Sequence, residues 1–219
     1  VSHAHMDHFA GFDQLLRVVL GRKERLVLTG GPGFIARVEH KLAAYEWNVV
    51  HRYEPPITLE VREFAEDGKG RRASFSSRNR FQREEAGGWQ PAGDVLHEEA
   101  TFRVRGRFVD HELPCLAFAL EEKARMKVAK DRLESLGLTT GPWLRALKQA
   151  VLAGAPGDTP IAVRWRDRQG EHAQTRSVDE LRPVILDVVE GQRAGYVTDL
   201  RHTEANVRVL EELLAGVDI

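Results

Sequence analysis

The chain has 219 residues, 42% apolar and 30% charged, with 32 Lys plus Arg against 33 Asp plus Glu, a balance that suits one globular domain with a real core and advertises no polyanionic partner. A single cysteine, Cys115, excludes an intrachain disulfide framework and any thiolate cluster, so metal ligands have to be His and carboxylate. No stretch approaches the roughly 18 consecutive apolar residues of a membrane helix and no secretory leader is recognisable, which sets the expectation of a cytoplasmic protein with no membrane partner.

Val1 to Asp7 reads as a strand end running into a turn, and Phe12, Leu15, Leu16, Val19 and Leu20 follow at helical spacing. Leu26 to Thr29 is a short apolar strand, Gly30 to Gly33 a tight turn, and Phe34, Val38, Leu42 and Tyr45 mark a second amphipathic helix. From Pro55 the pattern alternates, with Ile57, Leu59 and Val61 on one face and Phe102, Val104 and Phe108 after a charged, Gly-rich interval; these read as antiparallel strands. Leu116 to Leu120 is another strand, Lys123 to Leu136 a helix closed by Gly137, and Gly141-Pro142 opens a further helix at Trp143. Ile161 to Trp165 lies in a polar hairpin, Val184 to Val189 and Gly195 to Thr198 are strand-like, and Asn206 to Leu214 is a closing helix. Helices and strands mixed in this way predict an α/β (α+β) protein with two sheets covered by helices.

The chemistry concentrates in His3-Ala4-His5-Met6-Asp7-His8, three imidazoles and a carboxylate within six residues. At a strand-to-turn junction His3 and His5 can point to one side and hold one metal ion, while Asp7 and His8 on the turn face a second. Two adjacent ions of this kind can share a hydroxide and clamp a phosphate. The alternative is a His-rich surface turn or a tag remnant. Against it stands the amphipathic helix that follows directly.

His-x-His-x-Asp-His is the signature pattern of the metallo-β-lactamase superfamily, and this chain resembles it at every motif position. The resemblance implies an αββα sandwich and two zinc ions, with Mn or Fe equally compatible with imidazole and carboxylate ligands. It also implies later ligands. Val109-Asp110-His111-Glu112-Leu113-Pro114, followed by the strand Leu116 to Glu121, resembles ribonuclease Z, with His111 as the third ligand of the first ion; on its own a His there is an ordinary edge residue. Gly195-Tyr196-Val197-Thr198-Asp199 matches the strand that carries the bridging carboxylate, although an Asp at such a place is commonly a helix cap. His202 has no counterpart and reads as a helix-start residue.

The segment Arg132 to Lys148, with Gly141-Pro142 and Leu147-Lys148, resembles the flexible arm with which ribonuclease Z grips transfer RNA. Glu121 to Lys148 holds seven Lys or Arg against four acids, a local excess suited to phosphate backbone. Arg125, Lys127, Lys130, Arg132 and Lys148 are the expected RNA contacts, and an ordinary charged helical hairpin is the alternative. Leu26 to Gly33 resembles the strand and Gly-Pro turn that the family packs near its metals. Arg71 to Arg83, with Phe75 and Phe81 interleaved, has a composition suited to phosphate contact and base stacking or to a surface loop, and receives no site.

The resemblance therefore implies one partial metallo-β-lactamase-like domain over 1–219, truncated at both ends, with a flexible-arm insertion at 121–182. Its expected activity is that of a zinc-dependent endoribonuclease removing 3′ trailers from precursor tRNA as a homodimer. Metals would be held by His3, His5, Asp7, His8, His111 and Asp199, and Asp7 would orient or deprotonate the attacking water. Another hydrolase of the superfamily acting on a small phosphodiester, sulfate ester or lactone, or a silent RNA-binding or dimerisation piece, are the alternative readings.

Overall fold

Strict alternation builds the first sheet: in β2 (Thr58–Phe64), Leu59 and Val61 are fully buried on one face and Phe64 packs on the other. The computed structural model describes residues 1–167 and 170–219, in two compact units, Val1–Glu121 with Gln192–Ile219, and Glu122–Gly191. Arg168 and Gln169, within the expected insertion, lie outside the described residues.

In the first unit, β1 (Arg25–Gly30), β2, β3 (Gly70–Ser76) and β4 (Arg83–Trp89) form one sheet in that order. A second sheet has the order β12-β7-β6-β5, from β5 (Val95–Glu98), β6 (Phe102–Asp110), β7 (Pro114–Glu122) and β12 (Arg193–Tyr196). Helices α1 (Met6–Phe9), α2 (Gly11–Val19) and α3 (Phe34–Ala43) cover the first sheet, where Phe12, Leu16, Ile35 and Val38 meet Leu59, Val61 and Phe75. In β7 the alternation is divided between two cores. Cys115, Ala117 and Ala119 pack with Leu213 of α7 (Glu204–Leu213), whereas Leu116 joins Phe64, Leu96 and Phe108 between the sheets. The Phe64 and Phe108 rings are 4.8 Å apart. Helix, sheet, sheet, helix is the expected αββα layering, and the class is α+β.

Three expectations change in this unit. Val1 to His5 is not a strand, and Asp7 lies in α1, because the His5 carbonyl accepts from the His8 and Phe9 amides and starts a helical turn. β2 pairs in parallel with β1, Leu59 opposite Leu26, and only its other edge is antiparallel, to β3. The reason is the helical crossover through α3, which returns the chain in its original direction. The charged interval after Val61 is itself β3 and β4: Ala73 and Phe75 point into the core while Arg71 and Arg72 stay at the surface.

In the second unit, β8 (Arg125–Val128) pairs antiparallel with β11 (Leu186–Val189), and β9 (Pro160–Asp167) with β10 (Gly170–Ser177). Helices α4 (Lys130–Ser135), α5 (Trp143–Leu152) and α6 (Val178–Ile185) enclose Leu133, Leu147, Val163, Leu181 and Ile185. Ser177 and Glu180 form a reciprocal capping box that starts α6. The expected helix from Lys123 to Leu136 is instead β8 followed by the short α4, because Met126 and Val128 alternate inward and find backbone partners in β11. Likewise the strand expected from Val184 begins only at Leu186, after α6. No helix among the described residues is long and apolar enough to cross a membrane.

Candidate metal centre

Three backbone devices bring distant residues to one place. The carbonyl of Ser2 accepts a 2.9 Å bond from the Leu116 amide and ties the His-rich segment to β7. The His5 carbonyl accepts from the amides of His8 and Phe9, starting α1, and Phe9 anchors that turn in the core. His111 sits in the β6–β7 turn, where its amide donates to the Leu113 carbonyl at 3.1 Å, and Glu112 is in the left-handed region (φ 62°), held by a bond from its amide to Asp110 Oδ1. Asp199 follows β12.

His3, His5, His111 and Asp199 each present one ligand atom, and these atoms all lie within 4.8 Å of one another. Asp199 Oδ2 is 3.1 Å from His8 Nε2, 3.6 Å from His111 Nε2 and 3.8 Å from His3 Nε2, so one carboxylate oxygen is the common neighbour of three imidazoles. Asp7 joins through His8, its Oδ2 lying 3.3 Å from His8 Nε2, and is itself 75% exposed. The sequence-expected residues therefore form a core of four with His8 and Asp7 adjoining it.

His3 is buried, and its Nε2 has no hydrogen-bond partner among the described residues. A buried ring nitrogen of that kind is costly unless something else satisfies it. Its Nδ1 lies 3.4 Å from both Ser2 Oγ and Cys115 Sγ, contacts that orient the ring and leave Nε2 facing the other imidazoles and Asp199. Burial, then the neighbouring His8 and His5, push the His3 pKa below its ordinary value despite the opposing pull of Asp199. The ring is thus neutral and able to donate a lone pair. Burial also pushes the Cys115 thiol up, which keeps it a neutral neighbour. An all-imidazole and carboxylate set around an orphaned nitrogen fits a divalent transition metal.

The expected RNA contacts lie in the second unit. Arg125 and Lys127 occupy the two exposed positions of β8, Lys130 opens α4, and Lys148 is half-buried on α5. Arg132 is ion-paired with Asp187 of β11. The Arg-rich segment of the first unit is largely neutralised: Arg71 pairs with Glu63, Arg78 with Glu54, Arg83 with Glu39 and Glu85, and Arg72 donates to the Ala86 carbonyl. Trp89 stands beneath the Arg62 guanidinium, 5.3 Å from ring centroid to cation, and edge-on to Phe64.

Asn206 was legible in the sequence only as a helix residue, yet it ties the segments that carry His111 and Asp199 together. Buried at 3% exposure, it accepts from the Asp110 amide at 2.8 Å and donates to the carbonyls of Asp110 (2.8 Å) and Arg201 (2.7 Å). One side chain thereby fixes the residue before His111 to the residue two after Asp199. The Asn206 amide is in turn capped by Thr203 Oγ1.

No family model matches the sequence. Among curated proteins, the chain is 35% identical over 217 residues to "Ribonuclease Z" of Deinococcus radiodurans, covering 99% of this chain and 60% of the relative. It is 29% identical over 159 residues to "Ribonuclease Z" of Halalkalibacterium halodurans, and 25% identical over 159 residues to "Ribonuclease BN" of Proteus mirabilis; each match covers 71% of this chain. The chain spans 60%, 41% and 42% of these three relatives' lengths respectively.

Proposed function

Homology places this chain in the ribonuclease Z family, within the metallo-β-lactamase superfamily, and from that premise we propose that it is a metal-dependent endoribonuclease cutting the 3′ trailer from precursor tRNA. The observation that carries the reading is the convergence of His3, His5, His111 and Asp199 on the orphaned Nε2 of His3. In this reading His3, His5 and His111 would hold one zinc ion, His8 and Asp7 would serve a second, and Asp199 would be shared by both sets. When bound, the two ions supply Lewis-acid charge to the phosphoryl oxygens and make a water acidic enough to react near neutral pH.

The chain's own residues do the rest. Asp7, exposed and adjoining His8, orients the attacking water and takes its proton. Oxygen from that water bonds to phosphorus, one phosphodiester P–O bond breaks, and the leaving oxygen receives a proton. Asp199, touching three imidazoles through one oxygen, keeps the ligand rings in register.

Residues 121–182 act as the RNA-gripping arm of a single domain, with Arg125, Lys127, Lys130 and Lys148 on the phosphate backbone and Arg132 weakened by its pair with Asp187. The protein works in the cytoplasm as a homodimer. Met6, Leu15 and Val18 on α1 and α2, respectively 86%, 37% and 47% exposed, support an apolar contact beside the motif.

The test is metal analysis together with cleavage of a precursor tRNA carrying a 3′ trailer, run beside bis(p-nitrophenyl) phosphate. Bound zinc and cleavage at the trailer junction are expected. Absence of both overturns the enzyme reading, and cleavage of the small diester alone, unaffected by removing the charges of Arg125, Lys127 and Lys130, favours a small-molecule phosphodiesterase.

A further inference from the structure

A cavity of about 170 Å³ adjoins the His-rich segment in the first unit; it is lined by His3 and His5, by Gly31 and Pro32 of the turn after β1, and by Pro114 and Arg37. Arg37 is the one Lys or Arg on its wall, and no acidic residue lines it. Unlike Arg71, Arg83 and Arg105, Arg37 has no carboxylate partner among the described residues; its one side-chain hydrogen bond there runs from Nη1 to the Pro32 carbonyl at 3.3 Å. Arg37 is exposed, so the charge is open to a ligand. Its guanidinium lies over Gly33, at φ 78°, so closely that a Cβ there would meet Nη1 at 2.5 Å. The wall also carries His3, a nine-tenths-buried ring whose Nε2 is unpartnered. An exposed guanidinium with no carboxylate partner among the described residues, beside the imidazole cluster, suits an anion rather than a neutral group.

We infer that this cavity seats the nucleotide next to the scissile phosphate and that Arg37 holds that nucleotide's own phosphate. The inference rests on the endoribonuclease reading above. Apolar walls from Ala4, Phe34 and Leu113 give the base or sugar a surface to lie on, and the volume is sized for a phosphate or a single base rather than a duplex. Arg37 is thus a binding and positioning residue for the RNA backbone and not a member of the metal set.

The test uses the metal-loaded protein with Arg37→Ala, Arg37→Lys and, as a charge control outside the cavity lining, Arg208→Ala on the exposed face of α7. Steady-state cleavage of precursor tRNA is measured at several salt concentrations, with equilibrium binding of the same RNA to metal-free protein. Arg37→Ala is expected to raise KM roughly tenfold, the loss of one charge-assisted contact, with a much smaller change in kcat. Its binding should lose salt dependence by about 0.7 in the log–log slope, the share of one single-strand phosphate contact. Arg37→Lys should recover most of the slope and part of KM, and Arg208→Ala should match the wild type. A purely structural role would lower the unfolding midpoint without moving the slope. An unchanged slope and KM, or a fall in kcat at constant KM, overturns the assignment. If the wild type neither binds nor cleaves the RNA, the endoribonuclease reading fails and this inference with it, an outcome distinct from failure of Arg37 alone.

Discussion

Asn206→Ala removes the clamp between the two segments that carry the late ligands, and its cost can be worked from three bonds. The Asp110 amide loses its acceptor, the Arg201 carbonyl loses the Asn206 donor, and the Asp110 carbonyl loses one of its two donors. An unsatisfied buried amide costs about 1–3 kcal/mol, and each carbonyl rather less where water can reach it, so the total is about 3 kcal/mol. The backbone bond from the Arg201 amide to the Asp110 carbonyl, 2.8 Å, survives, so the loop loosens rather than detaches. His111 and Asp199 should then sample misaligned positions, and metal affinity should fall about tenfold, the lower end for loss of a supporting residue. Asn206→Asp keeps the acceptor but turns a carboxylate toward two carbonyl oxygens, and should cost at least as much. Hydrogen exchange at the Asp110 amide, with zinc titration of the same variants, reads both effects. Asn206→Asp behaving like the wild type in both assays would refute the clamp.

Glu63 accepts the amide of the fully buried Ile35 at 2.8 Å and the Arg71 guanidinium at 2.8 Å; Glu63→Ala should cost about 2–3 kcal/mol, mostly from the orphaned amide, since Arg71 is 56% exposed and its pair counts for little. A loss below ~1 kcal/mol in urea unfolding, with Ile35 still protected from exchange, would contradict this. Arg105 bridges Asp94 and Glu121 at 2.7 and 2.9 Å. The Arg105 hydrogen bond holds Asp94 below the usual carboxylate range against its partial burial, and for Glu121 burial is outweighed by Arg105 and Arg103. Depressed carboxylate pKa values mean stability fully present above the unfolded values of 3.8 and 4.5 and lost as pH falls through the folded ones. Arg105→Gln should therefore move the acid-unfolding midpoint to higher pH and cost about 3 kcal/mol near neutrality; a midpoint unchanged from wild type would count against the network.

What could be read from the sequence follows the range of the forces involved. The amphipathic run of α3 and the apolar β1 are local patterns, and each appears where periodicity placed it. The His3 to His8 motif is legible as a local cluster, although it runs into helix α1 and does not end a strand. His111 and Asp199 carry no local signal that separates a ligand from an edge residue or a cap; only their flanking resemblance singled them out, and the fold brings them to His3 and His8. Pairing direction was not legible, because alternation in β2 says which face is buried and nothing about its neighbour. β8 was hidden for a similar reason: Met126, Ala129 and Leu133 fit a helical stripe, and the strand is set by β11, far along the chain. The Arg-rich segment had the composition of a nucleic-acid contact, but the acids that neutralise Arg71, Arg78 and Arg83 include Glu39, Glu54 and Glu63 from elsewhere in the chain. Asn206 shows the same limit, since its three partners are backbone groups that no side-chain pattern reveals.

Metal content by mass spectrometry, measured on the protein and on His3→Ala, His111→Ala and Asp199→Asn, tests the central claim most directly. The wild type should hold up to two zinc ions per chain after dialysis against dilute zinc. His3→Ala and His111→Ala should each lose the ion of the first site, and Asp199→Asn should weaken both. Wild-type protein without bound metal, or His3→Ala and His111→Ala retaining full occupancy, would contradict the account.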